Sequence, residues 1–214
     1  MRQLQPSARA LTVEEYLAHE RESTFKHEYI AGEVFAMSPQ GKRHGKIIRN
    51  IVRALEPGVA ARGCDIHTGV VTRVDDERYY YPDVVVECPP GADDQVIRRP
   101  CIVVEVTSPS TRATDLREKT ATYRSVATLH AYLVVEQKRR RVLFYTRRSA
   151  TDWDKLEIVG DGGIDVACVA CRLTLDEIYA GIEMPPIAVR EGEDEYSFED
   201  YERQWVFAPA ERHY

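Results

Sequence analysis

Along the chain the apolar positions switch between a spacing of about 3.6 and a spacing of about two, the pattern of helices alternating with strands. Thr12-Val13-Glu14-Glu15 reads as a capping box, in which hydroxyl and carboxylate each satisfy an otherwise unpaired amide, so a helix is predicted from Val13 to about Arg21. His27 to Ile30 and Glu33 to Met37 flank Ala31-Gly32 and predict a β-hairpin closed by a glycine turn. Ser38 to Gly41 is a loop. Ile47, Ile48, Ile51, Val52 and Leu55 then recur at helical spacing, predicting an amphipathic helix from His44 to Leu55 that Pro57-Gly58 ends.

Val70 to Val74 and Tyr79 to Val86 are strand-like, and Pro89 to Pro100 is a turn-rich loop. Cys101 to Val106 is apolar except for Glu105, which predicts a central strand buried on both faces. Ser108 to Thr111 stops it, and Thr114 or Asp115 caps a helix running to about Ala127. Ala131 to Val135 and Val142 to Tyr145 are two further strands, joined by Lys138 to Arg141, a basic run read as a solvated hairpin tip. Thr174-Leu175-Asp176-Glu177 is a second capping box opening a short helix. The order fits one α/β domain, residues 1–189, followed by a tail over residues 190–214.

Composition narrows the class. The 214 residues are 43% hydrophobic and 30% charged, a globular balance that excludes collagenous or wholly disordered chains. No apolar run approaches the roughly 20 residues of a membrane-spanning helix, and Met1 to Ala10 lacks the apolar core of a signal peptide. A cytoplasmic location is expected. The net charge of −6 argues against a constitutive nucleic-acid coat. Arg190 to Tyr214 holds eight acidic and three basic side chains, so the tail carries most of that charge and the body is nearly neutral. Tyr196, Phe198, Tyr201, Trp205 and Phe207 distinguish the tail from a disordered acidic run and predict that its aromatics dock on the body or on a second copy. A homodimer is compatible with this. The five cysteines do not form a disulfide framework, and Cys168-Val169-Ala170-Cys171 offers two of the about four ligands that zinc needs, so both read as small apolar residues of a buried strand.

Two carboxylates carry the chemistry. Asp83 follows Pro82 at the head of Val84-Val85-Val86, and Glu105 interrupts Ile102-Val103-Val104-Glu105-Val106. A buried carboxylate is costly unless it is paired or holds a cation. If the strands are neighbours, the two converge on one point, where paired oxygens suit Mg²⁺; a turn cap at Asp83 and an ion pair at Glu105 are the competing reading. Asp115 and Lys119, four apart, share a helix face that can look back at Glu105. His44, among Lys42, Arg43 and Lys46 at a helix start, with Arg49 beyond, forms a basic strip able to meet a phosphate.

Tyr81-Pro82-Asp83-Val84-Val85-Val86, Val103-Val104-Glu105-Val106-Thr107-Ser108-Pro109-Ser110-Thr111, and then Asp115, Lys119 and Tyr123 resemble the Uma-two family of restriction endonucleases, within the PD-(D/E)XK nuclease superfamily. The hairpin Glu28 to Glu33, the helix start at Ser38 to His44 and Ala131 to Val135 extend the resemblance over roughly residues 11–182. It implies a restriction-endonuclease-like α/β core, a mixed β-sheet flanked by helices with an N-terminal helix and hairpin. It also implies a Mg²⁺- or Mn²⁺-dependent hydrolase cutting DNA, with metal held by Asp83, Glu105 and the Val106 carbonyl, and Glu33 as an additional acidic ligand with which Glu28 competes. The superfamily lysine stands two residues after the glutamate, where this chain has Thr107; Lys119 is the candidate replacement. The second reading is a non-catalytic nucleic-acid-binding or oligomeric protein that keeps the fold.

Overall fold

The computed structural model describes residues 9–107 and 118–184. Asp115, the start of the helix before Lys119 and the whole acidic tail, with its aromatic docking, lie outside the described residues.

Helix α1, Val13–Glu22, begins with the expected box: the Thr12 hydroxyl accepts from the Glu15 amide and the Glu15 carboxylate from the Thr12 amide. It packs on a five-stranded sheet, order β2-β1-β5-β4-β7, made of β1 (His27–Ile30), β2 (Glu33–Ala36), β4 (Val71–Arg73), β5 (Arg78–Tyr80) and β7 (Val96–Ile97). Tyr16, Tyr29, Tyr79 and Tyr81 fill that interface; Tyr16 stacks on Tyr29 at 5.0 Å and donates to the His27 carbonyl.

A six-stranded sheet, order β11-β10-β9-β8-β6-β3, forms the second layer, from β3 (Asp65–His67), β6 (Val84–Glu87), β8 (Pro100–Thr107), β9 (Ala131–Glu136), β10 (Arg141–Arg147) and β11 (Trp153–Val159). β8 is the expected central strand, buried along its length, antiparallel to β6 and parallel to β9. The parallel step needs a crossover, and α3 (Thr120–Ser125) lies on it. Tyr79 to Val86, expected as one strand, is two: the chain breaks at Tyr81-Pro82-Asp83 and passes from one sheet into the other. Proline has no amide for a central ladder, so the break falls there and frees Asp83 from strand pairing.

Helix α2, Lys42–Ala61, presents Ile47, Ile51, Leu55 and Val59 to the six-stranded sheet. It runs through Pro57, where termination was expected. The proline removes the hydrogen bond to the Arg53 carbonyl, but both residues are exposed, so water accepts the loss while Val59 continues the buried stripe. Gly58 permits the approach of the hairpin formed by β12 (Gly163–Val166) and β13 (Cys171–Thr174), since a Cβ there would stand 2.6 Å from the Val169 carbonyl oxygen. A short helix α4, Leu175–Ile178, follows the second capping box.

Two expectations about side chains change. Arg141 is buried rather than part of a solvated tip, pairing with Glu136 and Glu157 at 2.7 Å each. Cys64 and Cys88 form a disulfide between β3 and the end of β6, and Cys168 and Cys171 sit half-buried on a 3₁₀ turn and the start of β13 rather than within one strand. The register pairs Asp65 with Glu87, which brings Cys64 beside Cys88, a proximity that sequence separation hides. Among the described residues no helix is long and apolar enough to cross a membrane.

Candidate active site

The strand register assembles the site. Val84 pairs with Val104 and Val85 with Val103, so one further step sets Asp83 across from Glu105. Both carboxylates are 6% exposed. Alternation along β8 puts Val103, Glu105 and Thr107 on one face and Ile102, Val104 and Val106 on the face covered by α2.

Asp83 is held from three directions. Its Oδ2 accepts from the Val106 amide at 2.7 Å, and its Oδ1 from Gln40 Nε2 and His44 Nε2, each at 2.8 Å. Gln137 meets the other His44 nitrogen, Nδ1, at 3.1 Å. The two contacts clamp the imidazole between Asp83 and Gln137 and fix the orientation of its ring. His44 is buried by this role, so its ring faces Asp83 rather than outward. Arg49 stands exposed on another side of α2, as five residues of helical rotation require.

Around Glu105 the partners come from the other side. Its Oε1 accepts from the Tyr123 hydroxyl at 3.0 Å and meets Lys119 Nζ at 3.4 Å. Lys119 also reaches Glu28 Oε1 at 2.8 Å and stands 5.2 Å from the Tyr80 ring centre. The Tyr81 amide donates to the same Glu28 oxygen. Burial, then the Glu105 charge, pushes the phenols of Tyr123 and Tyr132 well above the usual tyrosine range, so both stay neutral. Tyr80, Tyr123 and Tyr132 form a chain of ring contacts beneath the carboxylate.

The structure thus brings Asp83, Glu105, Lys119 and His44 together and adds Glu28, Gln40, Gln137 and Tyr123. Glu33 is not gathered in: it is exposed at the turn end of β2, opposite Ile30, whereas Glu28 lies opposite Phe35. Both glutamates share a hairpin face, but two residues along a strand separate them by about 7 Å. Gln40 and Gln137 carried no sequence signal, being single amides outside any recognisable spacing.

The site fits a hard divalent cation. Its donors are carboxylate oxygens, the kind such an ion prefers: Glu105 and Glu28 meet at the Lys119 ammonium, and Asp83 lies across from Glu105 in the strand register. Thr107, in the position of the superfamily lysine, is 4% exposed, and its hydroxyl has no partner among the described residues. A cleft of about 440 Å³, lined in part by Phe25, Lys26, Met37, Gln40 and Tyr81, opens onto Asp83 and leads to the site from solvent.

A mixed sheet flanked by helices, with Asp83 at the head of β6 and Glu105 on the adjacent antiparallel β8, is a nuclease-like fold of the restriction-endonuclease kind. Comparison with known proteins agrees. The family model Uma2, “Putative restriction endonuclease”, matches residues 13–176, and the chain belongs to that family. Two uncharacterized proteins of Synechocystis sp. are similar. One, slr1290, is 31% identical over 176 residues, covering 80% of this chain and 93% of its own. The other, sll1609, is 29% identical over 161 residues, 72% of this chain and 91% of its own. A crystal structure of “a putative nuclease belonging to DUF820” from Anabaena variabilis superposes with a TM-score of 0.65, covering 79% of this chain and 97% of that one. At 17% identity the shared property is the fold.

Proposed function

We propose that the protein is a Mg²⁺- or Mn²⁺-dependent endonuclease that hydrolyses DNA phosphodiester bonds. The observation that carries this reading is the pair Asp83 and Glu105, opposed across β6 and β8, with Lys119 beside Glu105. Asp83 and Glu105, with the Val106 carbonyl, would hold the ion. When bound, it supplies Lewis acidity toward the scissile phosphate and makes a nearby water a better nucleophile.

The chain's own residues supply the rest. His44, backed by Gln137, fixes Asp83 in one orientation by hydrogen bonding. Lys119, held by Glu28 and Glu105, would orient the attacking water or meet the negative charge growing on phosphorus. Tyr123 holds the Glu105 carboxylate from below. Exposed Arg49, with Lys42 on the same helix, would meet the DNA backbone, which sets register without reading sequence.

The test is cleavage of supercoiled plasmid, linear duplex, single-stranded DNA and RNA with Mg²⁺, Mn²⁺ or EDTA. Metal-dependent cutting of DNA supports the reading. Tight DNA binding with no cutting on any substrate, and affinity unaffected by neutralising Asp83 and Glu105, supports a non-catalytic binding protein instead.

A further inference from the structure

A second group of ligating side chains lies on α1 and β1. His19, Glu20 and His27 each offer one nitrogen or oxygen, and these atoms lie within 4.8 Å of one another. His27 and Glu20 are already set in place. His27 Nδ1 stands 3.0 Å from Glu20 Oε2, while the other glutamate oxygen, Oε1, accepts from the His27 amide and the Tyr81 hydroxyl, both at 2.8 Å. His19 projects from the exposed side of α1, its ring edge-on to His27 with centroids 5.6 Å apart.

The spacing of Glu20 and His27 matches that of two ligands in a metal site. Two ligands about 2.0–2.1 Å from a zinc ion at a tetrahedral angle stand roughly 3.3 Å apart, close to the 3.0 Å already held between Oε2 and Nδ1. An ion seated between Oε2 and Nδ1 would replace the contact they now make, with a small swing of the exposed His19 ring bringing the third ligand. The Tyr81 hydroxyl and the His27 amide fix the carboxylate, the outer-shell support that ligating carboxylates carry. Two imidazoles with one carboxylate select a borderline ion such as Zn²⁺, whereas the oxygen donors at Asp83 and Glu105 suit Mg²⁺.

We propose that His19, Glu20 and His27 form a zinc-class transition-metal site, separate from the pair Asp83 and Glu105, with its fourth position open to water beside His19. An ion there joins α1 to β1 and, through Glu20, holds Tyr81, two residues before Asp83. The site therefore ties the N-terminal helix to the break that positions Asp83. It does not depend on the nuclease reading.

Zinc uptake by metal-stripped full-length protein, measured against a chromogenic chelator, together with the absorption spectrum of the Co²⁺ form, tests this. One zinc per chain is expected, with tetrahedral cobalt bands and no thiolate-to-cobalt charge transfer. His19→Ala, at an exposed position, and Glu20→Gln should each weaken zinc by more than the roughly 10- to 100-fold that loss of an outer-shell partner costs. Asp83→Asn and Glu105→Gln should leave zinc affinity unchanged. Absence of stoichiometric uptake, equal affinity in His19→Ala, thiolate bands implicating Cys101, Cys168 or Cys171, or loss of zinc in Asp83→Asn would each overturn the proposal.

Discussion

The ammonium of Lys119 stands 3.4 Å from Oε1 of Glu105, the two residues being 14 apart in sequence. A lysine two positions after the glutamate would occupy the strand itself; here that place belongs to Thr107, and the cation arrives from the start of the following helix. If Lys119 serves in place of the strand lysine, Lys119→Met should lower kcat by about 10²–10³-fold, the cost of removing one preorganised donor, with little change in KM for DNA. Thr107→Lys in the Lys119→Met background should recover part of the loss, because Thr107 and Glu105 project from the same face of β8. Single-turnover cleavage of the two variants checks both statements.

His44 touches Asp83 but acts through it. His44→Ala should raise the Mg²⁺ concentration needed for half-maximal cleavage by about 10–100-fold, as loss of an outer-shell partner does, and saturating metal should restore most of kcat. Gln137→Ala should do the same more weakly, since Gln137 reaches Asp83 only by way of the imidazole. A metal titration of each variant separates this positioning role from a direct contact with phosphate, which would appear in KM for DNA instead.

The buried phenols give the stability an alkaline limit. In the folded chain Tyr123 and Tyr132 hold their protons well above the unfolded value of about 10. A raised folded pKa means that the folded state binds more protons than the unfolded one at high pH, so this stability is fully present below pH ~10 and is lost as pH rises beyond it. The melting temperature should therefore hold below that point and fall above it, and Tyr132→Phe should make the fall shallower. Thermal denaturation across the alkaline range reads both.

Gly58 sits inside α2, where alanine would ordinarily gain about 1 kcal/mol of helix propensity. The close carbonyl of Val169 and the Cys171 Cβ, 2.9 Å from the same point, reverse that sign. Gly58→Ala should destabilise by about 1–3 kcal/mol, the usual cost of overpacking, measured as a lower denaturation midpoint.

What the sequence made legible was local. Both capping boxes were readable because a threonine and a glutamate three residues on satisfy each other without help from the rest of the chain. The buried run Cys101 to Val106 announced β8 for the same reason. The path of α2 through Pro57 depended on which side of the helix faces solvent, and the split of Tyr79 to Val86 on there being two sheets, neither of which spacing encodes. In the site, Asp83, Glu105 and Lys119 came from their pattern and the resemblance it carried. Glu28 and Glu33 were indistinguishable because they share a hairpin face and differ only in distance along it. Gln40, Gln137 and the buried ion pairs of Arg141 required the tertiary arrangement to become visible.

The central claim is that Asp83 and Glu105 together hold a divalent ion for DNA cleavage. The most direct test is nicking of supercoiled plasmid by the unaltered protein, Asp83→Asn and Glu105→Gln, purified identically and compared across Mg²⁺, Mn²⁺ and EDTA. The account predicts metal-dependent nicking that both substitutions abolish while each variant keeps its fold by circular dichroism. Nicking that persists in either folded variant, or that proceeds in EDTA, would contradict it.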